Sequence, residues 1–357
     1  MTLYLDANAT EPLRPAARAA AMAAMDLGGN PSSVHAAGRA ARHLLEDARE
    51  ALAARFGARP RDVVFTSVGT EANALALHGL AAGRRVLVGA TEHPAVRAAA
   101  PDANVMPVLA DGRLDLEALE AALADGPPAL VAMMAANNET GVLHPLEAAL
   151  ALCRRYGALL HVDAVQAAGR VPVLLLGDSM AVSGHKLGGP PGAGALLLRA
   201  GLALTPLIGG GGQESGRRGG TEALPAIAGM AAALAEATPE AAARLAELRD
   251  AIEAGAGATV AGAGAPRLPN TACLVLPGVA AETQVIALDL AGVRVSAGAA
   301  CSSGKVARSP VLEAMGFGDN AGCGIRVSLP WNAAPDSAER FLAAWAAMRQ
   351  RLSRRAA

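Results

Sequence analysis

Aromatic residues make up only 2% of this chain, lysine occurs twice and cysteine four times. No uncharged apolar run reaches the ~18 residues that a membrane span needs. Each scarcity excludes something. With two Trp, two Tyr and four Phe there are few rings on which nucleobases could stack. A net charge of −1 gives no field that would recruit phosphate backbones or anionic membranes. Nucleic-acid and membrane partners are therefore not expected, and a small-molecule partner is. The opening "MTLYLDANAT" lacks the basic and apolar regions of a signal peptide, which predicts a cytoplasmic protein. Cys153, Cys273, Cys301 and Cys323 lie far apart, with no CxxC and no paired His spacing. Zinc and a disulfide framework are disfavoured, and no metal is expected. Cys153 in "LEAALALCRRYG" and Cys273 in "NTACLVLPG" read as small buried hydrophobes.

What is present is a 357-residue chain, 52% hydrophobic, able to bury a sizeable core of Ala, Leu and Val. Its default cation is arginine: 31 residues are basic, and only Lys186 and Lys305 are lysine. Arginine stays protonated, whereas a lysine amine can be desolvated, deprotonated and condensed with a carbonyl. Both lysines fall in glycine-rich motifs.

Short apolar runs alternate with helical stretches. Strands are expected over 62–66, 85–90, 129–135, 158–163, 180–184 and 194–199, and helices over 40–55, 71–81, 114–124 and 145–156. Near-continuously apolar strands separated by helices predict an α/β fold: a mainly parallel sheet sandwiched by helices. In such sheets the ligand crevice lies at the carboxyl ends of the strands, and five strand ends carry polar clusters. After a Gly-rich stretch (209–220), a helical run over 239–255 reads as a connector. The chain beyond it suggests a smaller α+β domain.

"SVGTEANALAL" (67–77) follows a strand and opens a helix. Gly69 allows close backbone approach, and the amides at Thr70 and Glu71 would favour a phosphate. A plain capping box with Ser67 or Thr70 as N-cap fits the same residues equally. Asp163 in "HVDAVQ" ends an apolar strand, where a buried carboxylate needs a cation or several donors. His185 and Lys186 in "SGHKLGGPPGAG" end the next strand, before a loop that admits a ligand close to the backbone. An imine-forming lysine, a carboxylate for a pyridinium nitrogen and a phosphate-binding helix terminus together describe a pyridoxal phosphate pocket.

The chain resembles the cysteine desulfurases of the NifS/IscS type, within the class V aminotransferase-like, fold-type I pyridoxal phosphate enzymes. The resemblance runs nearly end to end, through "YLDANAT", "GNPSSVHAAGR", "TSVGTEAN", "TEHPAV", "NNETG", "HVDAVQAAGR", "SGHKLGGPPGAG", "GGGQESGRRGGTE", "PNTA", "SAGAACSSGK" and "IRVSL". It implies a large cofactor-binding domain at 15–250 and a small domain, from 1–14 and 251–357, that carries the catalytic cysteine loop. It implies that Lys186 holds the cofactor covalently, that His93 stacks on its ring and moves protons, and that Asp163 keeps the ring nitrogen protonated. Asn138 and Gln166 would contact the ring hydroxyl. Gly69, Thr70, Ser183 and His185 would bind phosphate, with Thr221 reaching across from a second subunit, which implies a homodimer. Arg326 and Asn8 would bind the substrate, Arg326 through its carboxylate. Cys301 would be the nucleophile, taking sulfur from L-cysteine as a persulfide, leaving L-alanine, and passing the sulfur to an acceptor for iron–sulfur cluster assembly or thiolation.

The chain departs from its relatives at Ser215, where a basic residue is common, and at Pro330 in "SLPWN". Its C-terminal "RQRLSRRAA" is short beside members that dock an iron–sulfur scaffold, so the acceptor is left open. Cys323 reads as a buried structural thiol, with a second sulfur relay as the alternative, and Lys305 as a solvated loop residue. The small residues around Cys301 suit a mobile loop. The alternative functions are another class V enzyme, an aminotransferase or selenocysteine lyase, with Cys301 structural, and more distantly a non-catalytic sulfur carrier.

Overall fold

The computed structural model describes residues 2–298 and 308–356, with side chains to 352. Cys301 and Lys305 lie outside the described residues. After β1 (Leu3–Tyr4), the apolar runs form β2 (Val63–Thr66), β3 (Arg85–Gly89), β4 (Asn104–Met106), β5 (Ala129–Met134), β6 (Leu159–Asp163), β7 (Ser179–Ser183) and β8 (Gly194–Leu198). They join in the order β2-β8-β7-β6-β5-β3-β4. Pairing is parallel from β7 to β4, while β8 runs antiparallel to both β7 and β2. The mainly parallel sheet is thus as expected, and each expected strand lies within a residue or so of its observed bounds.

Every residue of β5 is buried, because helices cover both faces. Alternation sorts the side chains: Val131 and Met133 point into one apolar cluster, Leu130 and Ala132 into the other. The helices before and between these strands are α1 (Pro15–Asp26), α2 (Ala36–Phe56), α3 (Gly69–Leu80), α4 (Pro94–Ala99), α5 (Leu116–Ala124) and α6 (Leu146–Arg155), followed by α7 (Leu224–Glu236). Helix α2 starts four residues earlier than its periodicity suggests, because His35 Nδ1 accepts the Gly38 N–H at 3.2 Å. It ends at Gly57, whose φ of 70° is left-handed.

A second core follows. Helix α8 (Pro239–Ala256) buries Leu245 and Ile252 in it. Strands β9 (Thr259–Val260), β10 (Thr271–Val275), β12 (Ser296–Ala297) and β13 (Gly324–Ser328) make an antiparallel sheet in the order β12-β13-β10-β9. Between β10 and β12 come α9 (Ala281–Leu290) and β11 (Val293–Arg294), which pairs with β1. Helices α10 (Pro310–Ala314) and α11 (Ser337–Ala356) complete the fold. Phe341 and Trp345 stack at 5.8 Å in this core.

The N-terminal segment ties the two sheets together. Ala7 N–H donates to Ser328 of β13, while Asn8 and Ala9 present their carbonyls to Lys186 beyond β7. Cys153, Cys273 and Cys323 are all buried, and burial pushes the Cys153 thiol up to about 12. Among the described residues, no helix is long and apolar enough to cross a membrane.

Candidate active site

A cavity of about 260 Å³ lies at the carboxyl ends of β5, β6 and β7, beneath the N-terminus of α3. Four strand ends and one helix supply its walls. Helix α3 gives Gly69, Thr70 and Asn73, and the turn after β3 gives His93. The end of β5 gives Met134 and Asn138, β6 gives Asp163 and Gln166, and β7 gives Ser183, His185 and Lys186. Residues expected at the site from motifs spread over more than a hundred positions therefore face one space.

The start of α3 is open. Neither Ser67 nor Thr70 caps it; Val68 stands at the N-cap with no side-chain bond, so the capping-box reading does not hold. Glu71 instead accepts the Ser67 N–H at 2.8 Å and pairs with Arg218 at 2.7 Å. Gly69 is required by close approach: a Cβ there would lie 2.7 Å from Val165 Cγ2 and 3.2 Å from Ser183 Cβ. Ser183 Oγ is buried with no hydrogen-bond partner among the described residues. Free helix amides and an unmet hydroxyl make a cradle for an anion. Burial pushes His185 down to about 4, with Lys186 adding to the effect.

Asp163 lies opposite the open side. Its Oδ1 accepts the Val165 N–H at 3.0 Å and its Oδ2 the Asn73 Nδ2–H at 2.8 Å. Both donors are neutral, and burial raises the carboxyl above its ordinary range. A protonated ring nitrogen would supply a direct cationic partner. His93 caps α4 through Nδ1, which accepts the Ala95 N–H at 3.1 Å, so the neutral ring carries its proton on Nε2. Burial lowers the His93 pKa; Lys186 and Arg326 also lower it, and Asp163 opposes them.

Lys186 Nζ donates to the carbonyls of Asn8 at 2.5 Å and Ala9 at 2.8 Å. Gln166 lines the cavity with one Nε2–H on Asn8 O, while its Oε1 accepts from Arg170 at 2.7 Å. Arg326, on β13, does not line the cavity but abuts it through Asn138: it pairs with Asp6 at 2.7 Å and donates to Asn138 O at 3.2 Å, and its Nε is without a partner among the described residues. Asn8 differs from expectation in what it presents. Its amide is taken up by Asn138 O, Thr271 and Asn270, and its backbone carbonyl is what faces Lys186. Thr221 is exposed and lies outside this cavity.

Sequence reasoning missed Asn73 and Glu92. Asn73 reaches Asp163 across 90 residues of chain, a contact no local pattern announces. Glu92, beside His93, is buried; its Oε1 accepts the Met134 N–H at 2.7 Å, and burial pushes its carboxyl well up.

The fold and this cavity define a class. Residues 3–341 match the class-V aminotransferase family, and the chain belongs to it. More narrowly, it belongs to the cysteine desulfurases. It is 43% identical to the cysteine desulfurase of Cereibacter sphaeroides, over 94% of this chain and 92% of that one. A NifS-like protein from Rickettsia africae superposes with a TM-score of 0.91 at 34% identity, covering 98% of this chain and 100% of that one. A structure of SspA in complex with cysteine superposes at 0.83, with 28% identity over 93% of this chain and 100% of the other. Enzymes of this family use pyridoxal phosphate.

Proposed function

We propose that this protein converts L-cysteine to L-alanine with pyridoxal phosphate and captures the sulfur as a persulfide on Cys301. The observation that carries the reading is the convergence of Lys186, Asp163 and His93 on one cavity beneath the open end of α3. The residues present suit the cofactor. The α3 amides, Thr70, Ser183 and His185 would hold its phosphate, Asp163 its protonated ring nitrogen, Asn138 and Gln166 its ring hydroxyl, and Lys186 its carbonyl carbon. When bound, pyridoxal phosphate accepts the electron pair released at the substrate Cα.

The chain's own groups then have defined tasks. Arg326 offers its guanidinium to the substrate carboxylate. Neutral His93 can take up a proton, because burial keeps its imidazole uncharged. The Cys301 thiolate attacks the substrate sulfur: the S–S bond forms as Cβ–S breaks, and that bond's electron pair stays with carbon. The protons lost from Cα and from Cys301 are balanced by protons returned to Cα and Cβ. L-alanine leaves, and Cys301 holds the outer sulfur for an acceptor protein in iron–sulfur assembly or thiolation. The active unit is a cytoplasmic homodimer, in which Thr221 serves the phosphate of a second copy.

The reading is tested by incubating the protein, reconstituted with pyridoxal phosphate, with L-cysteine and dithiothreitol. Alanine and sulfide should form in equal amounts. Cys301→Ser protein should keep the cofactor's visible band and lose sulfide release; full release would overturn the role of Cys301. Pyruvate from alanine and a keto acid, without desulfuration, would mark an aminotransferase instead.

A further inference from the structure

Behind Asp163 lies a line of buried polar groups that no step above uses. His161 and Asp163 stand two apart on β6 and so share a face, the one covered by α3. His161 is also the direct pairing partner of Ser179 on β7. Three contacts of 2.8 Å link the set: Ser179 Oγ with His161 Nδ1, His161 Nε2 with Asn73 Oδ1, and Asn73 Nδ2 with Asp163 Oδ2. Ser179 and His161 are completely buried, and Asn73 is 2% exposed.

Elementary valence fixes the direction of every proton in this line. An amide oxygen only accepts, so His161 Nε2 must carry hydrogen. Burial holds the imidazole neutral, with its pKa pushed down to about 3, so Nδ1 is bare and accepts the Ser179 hydroxyl. Asn73 then has its N–H on Asp163. Turning the Asn73 amide over would set its oxygen against a carboxylate oxygen, a repulsive contact that the observed orientation avoids. Donors therefore run one way, Ser179 to His161 to Asn73 to Asp163, and bonds in such a chain polarise one another. Around Asp163 the other charged or titratable groups are Lys186 and His93, which favour its ionised form, and the buried Glu92.

We propose that Asn73, His161 and Ser179 form a positioning relay that keeps Asp163 ionised and aimed into the cofactor cavity. This rests on the reading of Asp163 as the partner of the cofactor's ring nitrogen. The relay offsets the desolvation of a carboxylate that must remain charged in an apolar wall. Asn73 also lines the cavity, whereas His161 and Ser179 do not; the three act through Asp163.

The test reads Asp163 directly. In the cofactor-free protein, the ¹³C carboxyl signal of Asp163 is titrated in the parent, Asn73→Ala and Ser179→Ala proteins. The midpoint should rise by about one unit in Asn73→Ala, equivalent to about ten-fold in the ionisation constant, and by a few tenths of a unit in Ser179→Ala. After reconstitution, Asn73→Ala should lower kcat about ten-fold while KM for L-cysteine stays within about two-fold. Unmoved midpoints in both folded variants would overturn the relay. Should Asn73→Ala fail to fold, Ser179→Ala decides alone, since it removes a single hydroxyl. An Asp163→Asn control separates the two layers. Full turnover there would sink the ring-nitrogen reading and the relay with it, whereas lost turnover beside unmoved midpoints in the relay variants would sink the relay alone.

Discussion

Two unlike walls meet around the cavity: the seven-stranded sheet lines it, and Arg326 and Glu139 stand beside it, next to Asn138. On the side of the seven-stranded sheet, polar groups are held by neutral, buried bonds from neighbouring elements: Asp163 by Val165 and Asn73, Asn73 by His161, His161 by Ser179. On the side of the four-stranded sheet, fewer and charged contacts serve. Arg326 leans on Asp6, and Glu139 accepts from Ser309 Oγ at 2.6 Å. Glu139 also fills the space beside Gly298, so one carboxyl lies against Gly298 and Ser309, on either side of positions 299–307. The difference is instructive. A wall that orients a planar cofactor gains from interlocked neutral groups, which fix angles without adding charge to a desolvated site. A wall that is to receive an amino acid would need a cation and close steric fit.

Breaking the sheet-side wall should have the larger effect. His93→Ala should lower kcat by about 10²- to 10⁴-fold, measured as alanine formation, while the cofactor's visible band remains. The parent should show a matching pH signature. Burial lowers the His93 pKa from 6.5, so the neutral, proton-accepting ring persists into mild acid, and the acid limb of kcat/KM governed by it should fall below pH 6.5. An acid limb above 6.5 would contradict the assignment.

Next comes the opposite wall. Arg326→Ala removes a charge-assisted contact worth about 1.5–3 kcal/mol, so KM for L-cysteine should rise about ten- to a hundred-fold with kcat changed less. Arg326→Lys should recover only part of this, because the ammonium lacks the fork. Equal losses in kcat and kcat/KM would move Arg326 from binding to chemistry. The smallest effect is expected from Gly298→Ala. The added Cβ would lie 2.1 Å from Glu139 Oε2, and such overpacking costs about 1–3 kcal/mol, read as a lowered denaturation midpoint. An unchanged midpoint would show that Glu139 yields freely and that the tight fit is incidental.

How much of this was legible in the sequence follows the same division. The central strands announced themselves because burial on both faces makes them near-continuously apolar, and their polar ends placed Asp163, Lys186 and His93 at the site. Helix α1 was passed over because "PAARAAAMAAMD" is too rich in alanine to show a clear apolar stripe and has no side-chain cap. Strand β4 is short, with Asn104 and Val105 exposed at the sheet edge, and carries no apolar run. The reversal of β8 was hidden because a strand buried on both faces reads alike in either direction. Local pattern left the start of α3 ambiguous, and tertiary contacts decided it: Arg218 draws Glu71 into an ion pair, and no side chain caps the helix. The relay behind Asp163 was invisible for a plainer reason. His161 and Asn73 are 88 residues apart, and a histidine inside an apolar strand gives no sign of which helix will cover it.

The central claim is that the two walls serve one sulfur transfer, from L-cysteine to Cys301. It is tested most directly by a single turnover of the reconstituted protein with L-cysteine and no reductant, followed by mass analysis of its peptides. The account predicts one alanine released per active site and one added sulfur atom on the peptide that contains Cys301. Alanine formation with the sulfur on Cys323, or with no sulfur retained on the protein, would contradict it.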